Sequence, residues 1–449
     1  MKNFYKILFL LVLGSSLHAQ QELSEPLMSH LANFSKVNPA HFSDAEWTVR
    51  LPSVGFGILH TGPHFDDLYS REEGKGAYHL NGNQALGEFD ANNIFNGYFS
   101  GDLLGVDYTW GEHQVSVNYG MYMDGAINYT ADGARLLLKG NGDAIGETLS
   151  IGPAISINAY DKIGLGYAYR FDNWSFGGRM NFLFGRNALS TEKSDITFTT
   201  GSDYYAIDLQ ADYVVNTSSF VDIDMNTNDV SFEEMGYKPG LGKNGFGIGI
   251  DLAAGYRFDD VTTGFVSITN LGSINWKKNL ATYSSQGHKH YDGVQIESLA
   301  KLDTASLAGM LDSIQKFIGL EKSTGEFKTK LSPNVMIGGS WDFTEKVTFD
   351  GVLGVKKVFD KLLPSVGAGV QFDAAKWVKL GGSVSYQNKR INHLGLNATM
   401  NFEPVQLFIA TDNIFTFILP KSANLMHLRM GLNLKFGKVK KRFTVYGLG

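Results

Sequence analysis

Long stretches of this chain alternate apolar and polar residues with a period of two. Beyond its first twenty residues, no apolar run is long enough to cross a bilayer as a helix, which takes about 20 residues. From Leu394 the even positions read Leu394, Leu396, Ala398, Met400 and Phe402, and the odd ones Gly395, Asn397, Thr399 and Asn401. Ile248 to Phe258 and Trp174 to Phe184 repeat the pattern. A period of two sends one set of side chains to each face of a strand. Such a chain can span a membrane only as strands, and in lipid those strands must close into a barrel so that every backbone group is paired.

A soluble β-sandwich also alternates, so the connections must decide. Short turns are expected at Gly111 to His113, Asp172-Asn173, Gly201 to Asp203, Asp259-Asp260, Thr344 to Lys346, Asp373 to Lys376 and Glu403-Pro404. Aromatics flank nearly all of them: Tyr108 and Trp110, Phe171 and Trp174, Tyr204 and Tyr205, Phe258, Trp341 and Phe343, Phe372 and Trp377, and Phe402. Aromatics at one end of every hairpin make an interfacial girdle, which a sandwich does not need. Short turns then face the periplasm. Long connections at 61–94, 130–150, 216–244, 283–330 and 412–426 face outward. Counting from Trp47 gives about 16 strands, or about 14 without the weak ones near Ile196 and Trp47. An apolar stripe from Leu299 to Ile318 at helical spacing places a short helix in one outer loop.

The fold expected is therefore an all-β transmembrane antiparallel barrel of 14–16 strands over residues 47–436, with a tail at 437–449 containing the basic run Lys438 to Arg442. Lys2 and Lys6, the apolar Ile7 to Leu13 and the small residues up to Ala19 read as a signal peptide over 1–19, cleaved after Ala19. Residues 20–46 are left as a periplasmic or plug segment, and the destination is the outer membrane. Glycine occurs 52 times and aromatics form 13% of the chain, a balance that favours strands and turns. With no cysteine there is neither a disulfide framework nor a lipid-anchoring thiol. A net charge of -6 without a basic patch excludes nucleic acid as a partner.

Arg429, Gly431, Leu434 and Phe436 match the spacing polar, any, Gly, any, any, apolar, any, apolar, which resembles the assembly signal read by the barrel-insertion machinery. Asn38-Pro39-Ala40, Leu51-Pro52-Ser53-Val54-Gly55-Phe56, Asn270-Leu271-Gly272 with Trp276, and Asp412-Asn413 with Phe415 and Pro420 also carry a resemblance. With the closing strand they are similar to uncharacterised outer-membrane barrels of Bacteroidota, a domain of unknown function near FadL-type transporters and the PorP-type barrels of type IX secretion. The resemblance implies fold and location.

Motifs for chemistry are sparse. Gly240, Gly242 and Gly245 form a lone G-x-G-x-x-G that leads into a strand instead of a helix, so loop flexibility explains it better than a dinucleotide. Asp222, Asp224, Asn226, Asn228 and Glu233 occupy calcium-loop positions, but Thr227 replaces the turn glycine. A solvated loop is favoured there, with a weak surface calcium site as the alternative and no other cofactor expected. His288 and His290 lack a third metal ligand. No Ser-His-Asp set can be assembled, so no enzyme is expected. Alternation turns Arg170, Arg179, Asp251, Arg257, Asp350, Lys356, His393, Asn397, Arg429 and Lys435 into the lumen, either as a paired network or as a polar path. The function expected is passage or binding of a small, hydrophobic compound, with 20–46 as its hatch. The alternative is a structural part of a secretion or surface-attachment system whose partners are proteins.

Overall fold

The structure, a computed structural model, describes residues 22–71, 78–80, 82–202, 205–225, 230–232, 240–291, 319–359, 361–387 and 390–437. The signal at 1–19, the expected helix at 299–318 and the tail beyond Gly437 lie outside these.

The alternating segments close into one antiparallel barrel of 14 strands. In chain order they are β1 (Trp47–His60), β2 (Asn92–Trp110), β3 (His113–Thr130), β4 (Ala154–Phe171), β5 (Trp174–Thr200), β6 (Gly245–Arg257) and β7 (Thr262–Trp276). They continue as β8 (Asn334–Thr344), β9 (Val347–Val358), β10 (Lys361–Ala375), β11 (Val378–Gln387), β12 (Arg390–Phe402), β13 (Val405–Thr411) and β14 (Leu425–Phe436). Each pairs with the next, and β14 pairs back onto β1 from Trp47↔Phe436 to Leu59↔Leu425, so the sheet closes on itself. Both ends of the barrel sequence meet at the rim with the short turns.

On β9, Phe349 and Leu353 face out while Asp350, Val352 and Lys356 are buried inside. The outer surface is apolar nearly everywhere, an arrangement that only a lipid environment stabilises. Trp47, Trp110, Phe171, Trp174, Trp341, Trp377 and Phe402 ring the short-turn rim with exposed side chains. They pack against neighbouring rings, Trp47 tilted on Tyr108 at 4.4 Å and Trp174 stacked on Phe176 at 5.8 Å.

Of the 14–16 strands expected, the barrel has 14, and the region of Ile196 accounts for the difference from 16. β5 is 27 residues long, and only its lower part pairs with β6, up to Gly185↔Gly245. Its upper part, from Ala188 to Thr200, leaves the barrel and pairs with Ile207–Ser218, which pairs in turn with Leu280–Tyr291. This outer sheet stands on the long-loop side. The turn expected at Gly201 to Asp203 as a periplasmic one therefore joins two strands at the outer tip, with Gly201 N–H bonded to the carbonyl of Ala206. Tyr205 there is exposed but is no part of the rim girdle. The strand at Trp47, also weak in sequence, is a full member of the wall.

Two irregularities have a sequence cause. Pro52 lacks an N–H and sits where the β1–β14 register shifts between Arg50 and Ser53. Asn270 adopts a left-handed backbone, φ 60°, where the β6–β7 register shifts between Ile250 and Leu252. Buried Asp251 caps that bulge, accepting from Asn270 N–H at 2.8 Å and from Asn181 Nδ2 at 2.8 Å, with Arg179 Nη1 at 3.5 Å. Replacing Asp251 by Ala strands the Arg179 charge in the interior. Urea unfolding of the lipid-embedded barrel is expected to show a loss of about 3–5 kcal/mol.

Candidate functional site

Residues Glu22 to Glu46 run through the lumen. Pro26 takes the position after Glu25 in a short 3-10 turn, Glu25–Leu27, and Ala32–Lys36 forms a second. The free N–H groups ahead of the first turn are taken by the wall, where the Asp412 carboxylate accepts from Leu23 N at 3.0 Å and Ser24 N at 2.7 Å. Leu23 and Leu27 pack on Met336 and Val352, whereas Met28 and Leu31 pack on Phe408 and Ala410. All four leucine and methionine side chains are about 1% exposed. Burial on this scale is worth about 1.5–3 kcal/mol per side chain.

Polar contacts fix the segment around the whole circumference. Arg429 Nε and Nη2 hold the Glu22 carboxylate at 2.5 and 2.6 Å, and Tyr98 donates to the same group at 2.8 Å. Burial alone would raise the Glu22 carboxyl, but Arg429 and His427 outweigh it and hold the group well below the usual carboxylate range. Lys36 bridges Asp102 at 2.7 Å and Glu25 at 3.0 Å. Ser35 accepts from Arg50 at 2.6 Å through its hydroxyl and from Arg179 at 2.6 Å through its carbonyl. Arg50 is itself locked to Asp107 at 2.5 and 2.9 Å. Ser29 donates to Asp350 at 3.0 Å, and Gln371 donates to the Leu27 carbonyl at 2.8 Å. The wall makes room with glycine: a Cβ on Gly177 would lie 2.2 Å from the Pro39 carbonyl oxygen, and one on Gly55 would lie 2.7 Å from the Arg429 guanidinium.

The segment separates two cavities. One of about 400 Å³ opens toward the short-turn rim and is lined by His30, His41, Phe42, Arg170, Arg257, Asp342 and Lys379, among others. The other, about 190 Å³, lies on the opposite side between Glu22, Glu25, Tyr98, Phe99, Tyr122, Met123, Asp124, Tyr160, Lys162, Leu331, Met336 and Lys356. Tyr122, Tyr160 and Leu331 also belong to an apolar cluster built on Leu183, Ile274 and fully buried Trp276, whose indole N–H donates to Thr329 at 2.9 Å. Both cavities carry charged side chains, and the upper one adds an apolar side at Tyr122, Tyr160, Leu331 and Met336.

Each residue turned inward by alternation has a definite place. Arg179, Asp251, Asp350 and Arg429 meet the lumenal segment or its supports, as above. Arg170 lies 4.1 Å over the Phe42 ring, Arg257 lines the vestibule, and Lys435 pairs with Asp44 at 2.9 Å. Lys356 lines the upper cavity, His393 Nε2 lies 3.2 Å from Asn424 Oδ1, and Asn397 is buried beside Gly381. Within the closing strand, Gly431 packs against Ser53 and Phe408, Leu434 lies between Val49 and Val405, and Phe436 faces out. Sequence reasoning passed over Glu22, Arg50, Asp102 and Asp107, and noted Trp276 only within a family resemblance. The signal that could have found Arg50 and Asp107 is a charge inside a strand pattern.

The remaining motifs sit outside the lumen's core. Asp222 accepts from Tyr283 at 2.8 Å and pairs with Lys322 at 2.5 Å, so a lysine already occupies the first calcium-loop ligand. Asp224 lies in the same outer loop, and Asn226, Asn228 and Glu233 fall outside the described residues. Asp208 bridges His288 at 2.8 Å and His290 at 2.7 Å; among the described residues no group of three is arranged to hold a metal ion. Gly240, φ 94°, and Gly242, whose N–H donates to Asp161 at 2.7 Å, form a turn against the wall.

Burial, helped by Lys379 and Lys435, lowers the His30 ring from 6.5 to about 3; burial lowers His41 to about 4. Groups depressed in this way bind protons more readily once released. Docking of the segment is therefore fully favoured above pH 6.5 and weakens as pH falls from there toward 4, with Glu22 holding until lower pH. Protease sensitivity of residues 22–46 in the folded barrel is expected to rise over that window, and His30→Gln is expected to flatten part of the rise. Glu22→Ala, which removes the two-point partner of Arg429 and leaves it as carboxylate partners only Asp102 at 3.6 Å and Glu25 at 3.9 Å, is expected to raise the same sensitivity already at pH 7.

No curated protein matches the sequence. Solved structures align over most of its length at low identity. The Pseudomonas putida toluene transporter TodX aligns with 9% identity, covering 93% of this chain and 98% of that one, with a TM-score of 0.42. A Pseudomonas aeruginosa FadL homologue aligns with 9% identity, 94% and 100% coverage and a TM-score of 0.42. The translocator domain of the Neisseria meningitidis autotransporter NalP aligns with 8% identity, 90% and 93% coverage and a TM-score of 0.35. Likeness of this order spans unlike activities and selects none. The profile of a family of unknown function, DUF5723, matches residues 39–412, from the lumenal segment to the aspartate that caps it, and the chain belongs to that family.

Proposed function

We propose that this outer-membrane barrel binds and passes a small compound with an apolar body, and that residues 22–46 are its gate. The observation carrying this reading is the upper cavity, where Tyr98, Tyr122, Tyr160, Leu331 and Met336 supply apolar surface beside Glu22, Glu25, Asp124, Lys162 and Lys356. Concave, mostly apolar sites with a few placed polar groups are the usual form of small-molecule sites. The size suits a compound of one ring or a short chain, since an apolar cavity of roughly 150 Å³ accommodates benzene. Polar solutes of any size meet the docked segment and its buried ion pairs. No observation favours the secretion or surface-attachment alternative over this.

Calorimetric titration of the purified barrel with single-ring aromatics such as toluene and benzyl alcohol tests the reading. Binding that Leu331→Trp abolishes by filling the cavity is expected. Absence of binding by every such compound, with uptake of hydrophobic compounds unchanged in a deletion strain, counts against it. In planar bilayers the intact barrel is expected to stay nearly closed, and deletion of residues 22–44 to raise its conductance.

A further inference from the structure

β13 is the shortest strand of the wall, with 7 residues between neighbours of 13 and 12. A membrane-spanning strand takes about 9–11 residues. The β13 ladder stops at Leu396↔Thr411 on one side and Ala410↔Arg429 on the other. Its neighbours continue outward, β12 along β11 to Arg390 and β14 along β1 to Leu425. The wall therefore has a notch on the long-loop side, one strand wide.

The chain after β13 fills that notch. Ile414 N–H donates to the Leu394 carbonyl on β12 at 2.8 Å, while Asn413 Nδ2 at 3.0 Å and the Thr416 hydroxyl donate to the Leu425 carbonyl on β14. Phe415–Ile418 forms one helical turn, with Phe417 N–H bonded to Ile414 O at 3.1 Å and Leu419 N–H to Phe415 O at 2.6 Å. Backbone satisfied in this way is what hydrocarbon requires. Outside the turn, Phe415, Phe417, Ile418 and Leu419 are 41–64% exposed, while the lipid-facing Leu394, Leu396 and Ile409 beside the notch are 37–47% exposed.

We propose that residues 415–419 are a membrane-inserted part of the wall, resting among the acyl chains of the outer leaflet where β13 falls short. The occupant of this face is lipid because the face continues the lipid-facing band through shared backbone hydrogen bonds. Four exposed large apolar side chains within five residues have no stable place in water.

The natural absence of cysteine permits a direct test. Ile418→Cys and, separately, Leu419→Cys are labelled with a polarity-sensitive fluorophore in the full-length barrel in lipid nanodiscs. Ile409→Cys serves as the lipid-facing reference, and Leu137→Cys, on the exposed outer helix Ala131–Lys139, as the aqueous one. Blue-shifted emission at 418 and 419, quenched by doxyl-labelled lipid as strongly as at 409 and shielded from iodide, is the expected result. Iodide quenching at both positions equal to that at 137, with no effect of doxyl lipid, overturns the proposal. Shielding from both quenchers also overturns it, since protein then covers the face.

Discussion

A closed wall of 14 strands encloses more space than its own inward side chains can fill. Barrels of about 8 strands are filled by side chains, and those of about 16 leave a channel. Whatever occupies this lumen must satisfy the wall's buried charges and bury its inward apolar residues. Residues 22–46 do both. Glu22 and Ser35 meet Arg429, Arg50 and Arg179, while Leu23, Leu27, Met28 and Leu31 cover Met336, Val352, Phe408 and Ala410. Removing one member of such a network leaves a charge unpaired in the interior, and that outcome is costlier than the pair is favourable. The interior consequently behaves as one cooperative unit.

The short sequences that carried the family resemblance largely converge on this docking. Asn38 folds its side chain back to Ala40 N–H, which sets Pro39 against Gly177. Pro52 marks the register shift beside Arg50, Asn270 the bulge that Asp251 caps, and Asp412 the cap on Leu23 and Ser24. Trp276 anchors the apolar cluster with Tyr160, Leu183, Ile274 and Leu331. These positions are explained by packing between segment and wall, without any chemistry of their own.

Strand periodicity made the wall legible because its outer face obeys one rule, apolar toward lipid. The lumen obeys no such rule. Alternation could say that Arg179, Asp350 and Arg429 point inward, but their partners come from residues 22–46, whose short 3-10 turns have no period. The upper half of β5 was misplaced for a related reason. Its alternation is clear only to Phe184, and the mixed residues from Arg186 to Thr200 offer no period that separates a barrel strand from the outer sheet. Phe415–Ile418 was lost inside a long connection because one helical turn is too short to show a stripe.

Because the chain has no cysteine, the docking can be tested in the intact membrane by introducing a pair. Ser29 and Ser340 hydroxyls lie 2.8 Å apart, one on the lumenal segment and one on β8. Cysteines at these two positions are expected to form a disulfide in the folded barrel, locking residues 22–46 in place and shielding both thiols from membrane-impermeant maleimide. Free thiols at both positions, labelled as quickly as in the unfolded chain, would contradict a lumen organised around this segment.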